Sequence, residues 1–565
     1  MSEQLIDLYT EEGRLLPEIP WNEYPRPKLR RNSFFCLNGE WDFCESKVGK
    51  LPTEYNEKII VPFCPQSILS GIHRNIPDDS YIFYRRSFSL PEGFIKSRVI
   101  LNIGAIDQYA EIYINGKMVC EHIGGYEHFS ADITEYLSAD NTIIIKAYDR
   151  LDERILPYGK QKHNRGGMWY TPVTGIWQTV WIESVPNEYV KRISAKTNDN
   201  TVTFTVDGIS SGKLTLINDD IAVDITEGKA TLELQDIKYW SPESPYIYDI
   251  KVENDEDEVY SYFTVRTLEI GKINGIERLL LNRKPYFFNG LLDQGYWSDG
   301  IFTPASPESF SKDILFAKEC GFNTLRKHIK IEPDIFYYEC DRLGMIVFQD
   351  MVNNGDYKYF RDTVLPTVGF VKKSDKYIHK DGNTRDAFKK YMRSTVSVLE
   401  DFNCICYWTI FNEGWGQFCS DEMYDVLRSI DSDRFIDSTS GWFINSKSDI
   451  DSRHIYFRKL KIRSKDRPVV ISEFGGYTYK VDGHIFNLSN DYGYGKYKSM
   501  AEFEDALVNL YKNEVIPLVK QGLCGAVYTQ ISDVEDEING LITYDRMKSK
   551  VNTKKLKKLF QDIKI

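Results

Sequence analysis

Along the first 186 residues, apolar and polar positions alternate with a period of two. Glu111-Ile-Tyr-Ile-Asn115 and Thr142-Ile-Ile-Ile-Lys-Ala-Tyr148 are the clearest runs, and turn signals such as Asn115-Gly116 punctuate them. No sustained helical period appears, so a β-sandwich of jelly-roll type is expected over 1–186. Shorter alternating runs continue at 201–206, 213–217, 229–234, 246–252 and 260–265. They predict a small immunoglobulin-like β-sandwich over 187–268.

Near residue 270 the pattern changes. A helical period over 307–320 is followed by a short apolar run at 322–326, then by a second helix at 332–343 and a second run at 345–349. Strands are expected near Tyr286, Phe322, Met345, Tyr407, Phe435, His454, Val469 and Ala526. Strand–helix alternation on this scale predicts an eightfold (β/α)8 TIM barrel over 269–565. Too few residues separate Tyr456 from Val470 for a full helix, so that crossover is expected to be short or irregular.

Composition fits a multidomain chain. An apolar content of 42% over 565 residues is enough for several cores. The aromatic content of 14% fits sugar-stacking surfaces and packed β-domains equally well. A formal charge of −12 speaks against a nucleic-acid partner. The basic run at 548–558 reads as the solvated face of a last helix. Ten cysteines without CxxC pairs or metal-ligand spacing read as free thiols in a reducing compartment. The first residues, Met1-Ser-Glu-Gln-Leu-Ile-Asp7, lack the features of a signal peptide, and no apolar stretch approaches the roughly 20 residues that span a bilayer. A soluble, cytoplasmic protein with no membrane partner is expected, with homo-oligomerisation left open.

The candidate chemistry sits at two strand ends. Glu413 lies in Trp408-Thr-Ile-Phe-Asn-Glu-Gly-Trp415, and Glu473 in Val469-Val-Ile-Ser-Glu-Phe-Gly-Gly476. Each follows an apolar, β-prone run and precedes glycine or an aromatic–glycine pair, as a carboxylate does when it projects from a strand's C-terminal tip. On the strand count these are the fourth and seventh tips, and both open onto the C-terminal face where barrel active sites lie. Two acids so placed fit glycosidic-bond cleavage, which in its retaining form needs carboxyls about 5–5.5 Å apart. One must stay protonated near neutrality and the other ionised. Asn412 is placed to bind a sugar 2-hydroxyl.

Other motifs carry a resemblance. Leu37-Asn-Gly-Glu-Trp-Asp-Phe43, Tyr84-Arg-Arg-Ser-Phe88, His122-Ile-Gly-Gly-Tyr126 and Thr174-Gly-Ile-Trp-Gln-Thr-Val-Trp181 occur in order in the first region. Trp240-Ser-Pro-Glu-Ser-Pro-Tyr246 and Phe263-Thr-Val-Arg266 follow in the second, and Asn282-Arg-Lys-Pro285 and Asn289-Gly290 at the barrel entry. Over nearly its whole length the chain resembles glycoside hydrolase family 2, the family of β-galactosidases, β-glucuronidases and β-mannosidases. The resemblance implies that Glu413 is the acid/base and Glu473 the nucleophile. It implies that Arg326 orients the nucleophile and that His454 and Tyr456 attend it, while for Asp350 a sugar-hydroxyl contact and a salt-bridged structural role both fit. Tyr528 stands where many members carry a tryptophan and is expected to be a sugar platform. His328 lies two residues after Arg326, off the family's spacing, so a substrate contact and a structural role both fit it. Trp415 joins the substrate contacts, and the loop His163-Asn-Arg-Gly-Gly-Met-Trp169 is expected to bring Trp169 or Arg165 to the barrel mouth. Asp533, Glu535 and Glu537 in the last loop are either subsite acids or a charged rim.

Departures from the family narrow the expectation. Asp350-Met-Val352 lacks the Glu-x-His of metal-activated β-galactosidases, so no metal or other cofactor is expected. Asn539-Gly-Leu541 replaces the Asn-x-Lys by which β-glucuronidases hold a carboxylate. The expected function is therefore a retaining exo-β-glycosidase for terminal neutral sugars of an oligosaccharide or glycoside, β-galactosidase-like. β-Glucuronidase, β-mannosidase and pentosidase are the alternatives within the family. A non-catalytic carbohydrate-binding protein on the same scaffold is the alternative outside catalysis.

Overall fold

The computed structural model describes residues 3–365, 375–441, 446–463 and 466–565. In the first region a six-stranded antiparallel sheet (Glu57–Val61, Gly39–Ser46, Tyr81–Phe88, Asn141–Tyr148, Tyr109–Ile114, Lys117–Ile123, in spatial order) accompanies a four-stranded one (Phe35–Cys36, Val180–Val185, Arg98–Ile103, Phe129–Asp132). The period-two pattern is the cause: alternate residues of Tyr109–Ile114 are buried, and these inward residues join Trp41, Phe43, Tyr84 and Ile182 in one core.

Seven antiparallel strands follow between Arg192–Asn198 and Glu258–Phe263, hydrogen-bonded in one continuous order around a separate core that includes Phe204, Tyr248 and Phe263. Five match the expected runs. Arg192–Asn198 and Ile221–Thr226 were not expected, since both are largely exposed and their polar residues blur the alternation.

A three-stranded hairpin unit (Leu268–Ile273, Ile276–Leu281, Lys284–Pro285) leads into the barrel. Tyr286, the expected site of the first barrel strand, still belongs to this hairpin, its backbone N–H bonding to Leu279. The barrel strands are β1 (Phe288–Asp293), β2 (Thr324–Lys327), β3 (Ile346–Asp350), β4 (Ile405–Thr409), β5 (Phe435–Asp437), β6 (Asp451–Ile455), β7 (Val469–Gly475) and β8 (Leu523–Thr529). All their pairings are parallel, in the order β5-β4-β3-β2-β1-β8-β7-β6. Most of the strands are buried on both faces, which is why they read as short apolar runs rather than as alternations. The seam between β5 and β6 is closed without a ladder: Asp449 exchanges hydrogen bonds with the backbone of Ile436, at 2.8 and 2.9 Å.

Helices Glu308–Cys320, Asp334–Leu343, Gly382–Leu399, Ser420–Ile430, Met500–Leu510 and Thr553–Phe560 follow β1, β2, β3, β4, β7 and β8. Among the described residues of the β6–β7 crossover none is helical. None of the ten cysteines is in a disulfide. Among the described residues no helix is long and apolar enough to cross a membrane.

The three regions are locked together. Trp177 of the first region packs on Phe302 of the β1–β2 segment at 5.2 Å, and Trp240 of the second donates to the Asp341 carbonyl at 2.7 Å. The first region thereby overlies the C-terminal face of the barrel.

Candidate active site

Glu413 and Glu473 meet at one imidazole. His454, on β6, places Nδ1 2.8 Å from Glu413 Oε1 and 3.4 Å from Glu473 Oε2. A carboxylate oxygen of each acid and the imidazole nitrogen all lie within 4.8 Å of one another. Ser440, in the segment after β5, sets the ring from behind, its hydroxyl 3.0 Å from Nε2.

The two acids are carried differently. Glu473 lies within β7, so its direction follows from the pleat of a buried strand. Glu413 lies beyond the end of β4 in a left-handed turn (φ 50°, with Gly414 at 80°). That conformation is disfavoured for a side-chain-bearing residue, and here the Glu413 N–H bonded to Ser440 O at 2.8 Å maintains it.

Arg326 on β2 ties the floor of the site together. It grips Asp350, at the end of β3, with two hydrogen bonds of 3.0 Å. It also donates to Glu473 Oε1 at 3.0 Å and to Asn412 Oδ1 at 2.8 Å. Asn412 therefore has its amide NH2 left as a donor. Tyr456 donates to Glu473 Oε2 and lies 3.0 Å from the Thr529 hydroxyl. Burial alone would push the Glu473 carboxyl up. The charges of His454 and Arg326 and the Tyr456 hydrogen bond more than reverse this and hold it down to about 2. His328 binds Asp350 at 2.7 Å, and burial, seconded by the charge of Lys160, lowers its imidazole to about 4. Burial also works against the Asp350 charge, yet Arg326 leaves that carboxyl below its ordinary value.

Glu413, Glu473, Asn412, Arg326, His328, Asp350, His454 and Tyr456 thus form one connected cluster. Trp415 flanks it, stacked on Trp169 of the first region at 5.2 Å. Tyr528 is not in the cluster. It is 0% exposed, its hydroxyl accepts from the Tyr477 N–H, and its ring fills the space over Gly475, where a Cβ would sit 2.2 Å from it. No sugar can stack on it there. Arg165 reaches the last barrel loop rather than an open face, with bonds to Asp536 (2.9 Å), Glu535 (3.4 Å) and Glu3 (2.6 Å). Asp533 is paired with Lys550 at 2.6 Å. Of the last-loop acids Glu537 is the one that feels the charge of Glu473, and it accepts the Tyr170 hydroxyl.

Three contributors were not anticipated. Ser440 and Thr529 end or follow strands, so the strand-tip rule that found the acids reaches them too. Tyr170 meets Glu537 across 367 positions of chain, a contact with no local signal.

Comparison with known proteins agrees with this architecture. The family model described as "Glycosyl hydrolases family 2, sugar binding domain" matches residues 38–180, and "Glycosyl hydrolases family 2, TIM barrel domain" matches residues 272–565. A β-galactosidase of Thermoanaerobacter pseudethanolicus is 27% identical over 49% of this chain and 41% of its own length. A β-glucuronidase of Streptococcus agalactiae is 21% identical over 80% of this chain and 84% of its own. The chain spans less than half the length of the first curated relatives it matches. Among solved structures, a β-glucuronidase from an uncultured Clostridium superposes with a TM-score of 0.73 at 18% identity, covering 94% of this chain and 99% of that one. A β-galacturonidase of Eisenbergiella tayi bound to galacturonate gives 0.68 at 15%, covering 96% and 100%. These likenesses establish the shared fold. With the barrel model alone matching just over half of its residues, the chain belongs to glycoside hydrolase family 2.

Proposed function

We propose that the protein is a retaining, exo-acting β-glycosidase in which Glu413 is the acid/base and Glu473 the nucleophile. The observation that carries this reading is the approach of the two carboxylates to within 4.8 Å, the spacing of direct attack rather than of an intervening water. Glu413 gives its proton to the departing glycosidic oxygen while Glu473 attacks the anomeric carbon, inverting it. Water then loses a proton to Glu413 and displaces Glu473 with a second inversion, which frees the sugar as the β-anomer. The depressed carboxyl of Glu473 suits a group that must be ionised throughout. Arg326 and Tyr456 hold it, and the free amide of Asn412 suits the sugar 2-hydroxyl. The chain is read as a jelly roll over 1–186, an immunoglobulin-like module over 187–268 and the catalytic barrel over 269–565.

For the sugar, the relatives support the uronide alternative better than the neutral one, since most of those named above are uronidases. A second reading, a β-galactoside, is favoured by Asn539-Gly540-Leu541, where no lysine awaits a carboxylate. A panel of 4-nitrophenyl β-glycosides with NMR of the released anomer tests both. Turnover of the β-glucuronide with the β-anomer appearing first is expected. Binding without turnover of any glycoside would make the protein a carbohydrate-binding one instead.

A further inference from the structure

Most of the buried cations around the barrel mouth are paired with carboxylates. Arg326 holds Asp350 and Glu473, Lys327 holds Asp293 and Glu332, Lys330 holds Glu332, Lys550 holds Asp533, and Arg165 holds Asp536. Lys160 differs. It is only 7% exposed, yet among the described residues no carboxylate comes within ion-pair distance of its ammonium and no hydrogen bond leaves it. Two aromatic faces hold it instead: Nζ lies 5.5 Å from the ring centre of Tyr170 and 5.6 Å from that of Trp415.

The backbone fixes its place. The Lys160 carbonyl accepts from the Tyr170 N–H at 3.0 Å. Gly159, at φ +66°, presses so closely on the barrel that a Cβ would lie 2.9 Å from the carbonyl oxygen of Ile329, the residue after His328. The charge acts on both sides of the mouth, lowering His328 and opposing the burial that raises Glu537. Glu537 is the acid that faces it, but that carboxylate is drawn to the Tyr170 hydroxyl. Taking an ammonium out of water without a counter-charge is unfavourable, and a ring face returns only about 0.5–2 kcal/mol. A carboxylate in direct contact with the ammonium, which Glu537 does not supply, is the kind of partner a ligand brings.

We propose that Lys160 is the residue that reads the carboxylate of a uronide substrate, delivered by the first region in place of a lysine in the last barrel loop. This rests on the uronide reading above. The last loop has no substitute, because Lys550, the buried lysine beyond Asn539, is committed to Asp533 and to the Ile538 carbonyl. A neutral sugar offers the ammonium only a hydroxyl, whereas a carboxylate forms the stronger, charge-assisted bond.

The test uses the full-length protein with 4-nitrophenyl β-glucuronide and 4-nitrophenyl β-galactoside, comparing wild type, Lys160→Gln and Lys160→Arg. Lys160→Gln is expected to lose roughly 10²-fold in kcat/KM on the glucuronide, chiefly through KM, with the galactoside little changed or improved and Lys160→Arg partly restoring the difference. Equal losses on both substrates would make Lys160 a structural residue; that overturns the proposal and leaves the uronide reading standing. A wild type that cleaves the galactoside and not the glucuronide sinks the reading and the proposal together. Should Lys160→Gln not fold, inhibition of wild type decides: D-glucuronate is expected to compete at least tenfold more tightly than D-glucose, and equal inhibition refutes the proposal.

Discussion

At the residue scale, the site's electrostatics are concentrated on Glu473. Replacing it with glycine should abolish turnover, by roughly 10⁴-fold or more as expected for a lost nucleophile, and azide should restore release as the inverted glycosyl azide. Rescue with retained configuration would reverse the roles of the two acids. Tyr456→Phe removes a hydrogen bond that favours the Glu473 anion, so its pKa should rise from about 2. With the anion as the working form in the proposed mechanism, the acidic limb of kcat/KM should move to higher pH. An unmoved limb would show that another group governs it. Both acids were legible in the sequence because glycine follows closely after a β-prone run. Tyr528 misled for a reason equally local. Successive strand residues face opposite ways, and Thr529 is the one that points at Tyr456. Tyr528 must then face the outer layer, with Phe474 and Tyr477. A one-residue difference in direction leaves no trace in composition.

At the scale of elements, the barrel strands and the helices after β1 and β2 were visible in the sequence as alternating periods. The start of β1 was displaced because the preceding hairpin has the same apolar character. The last barrel loop was the least legible, since its acids look like a solvated rim. In the fold Asp533, Glu535, Asp536 and Glu537 are all buried, and the cations paired with the first three, Lys550 and Arg165, come from outside the loop. Burial raises the Glu535 carboxyl to about 7, against the pull of the Thr171 N–H and Arg165. Arg165→Ala would strand buried acids without their cation, at a cost of about 3 kcal/mol. Urea titration should show that loss, and kcat/KM should fall with it because the same loop carries Glu537. An unchanged midpoint would mean that water replaces the guanidinium without penalty.

At the scale of the whole molecule, the site belongs to no single region. The barrel supplies the acids, the first region supplies Trp169 and Tyr170, and the N-terminal tail secures the rim. Ile6 donates to the Phe486 carbonyl at 2.8 Å, and Leu488 donates to Gln4 at 3.0 Å. That tail lies along the segment leading to Tyr492 and Tyr494, whose hydroxyls feel the charge of Glu413. Deleting residues 1–8 should leave far-UV circular dichroism unchanged, speed proteolysis within 480–495 and lower kcat/KM several-fold. Equal proteolysis would show that the tail only decorates the surface. Contacts of this kind join positions hundreds of residues apart, so no window of sequence could display them.

The segment from Gly159 to Tyr170 leaves the first region and packs against the barrel mouth, through Gly159 on Ile329, Lys160 on Trp415 and Trp169 on Trp415. Its host strands never enter the barrel, so their sequence is free of the demands that the acid pair places on β4 and β7. On the proposal above, exchange of that one segment between related chains would then be a route to new sugar preferences that keeps both acids in place. Lineages of such enzymes should therefore diversify at this segment sooner than at the acids themselves.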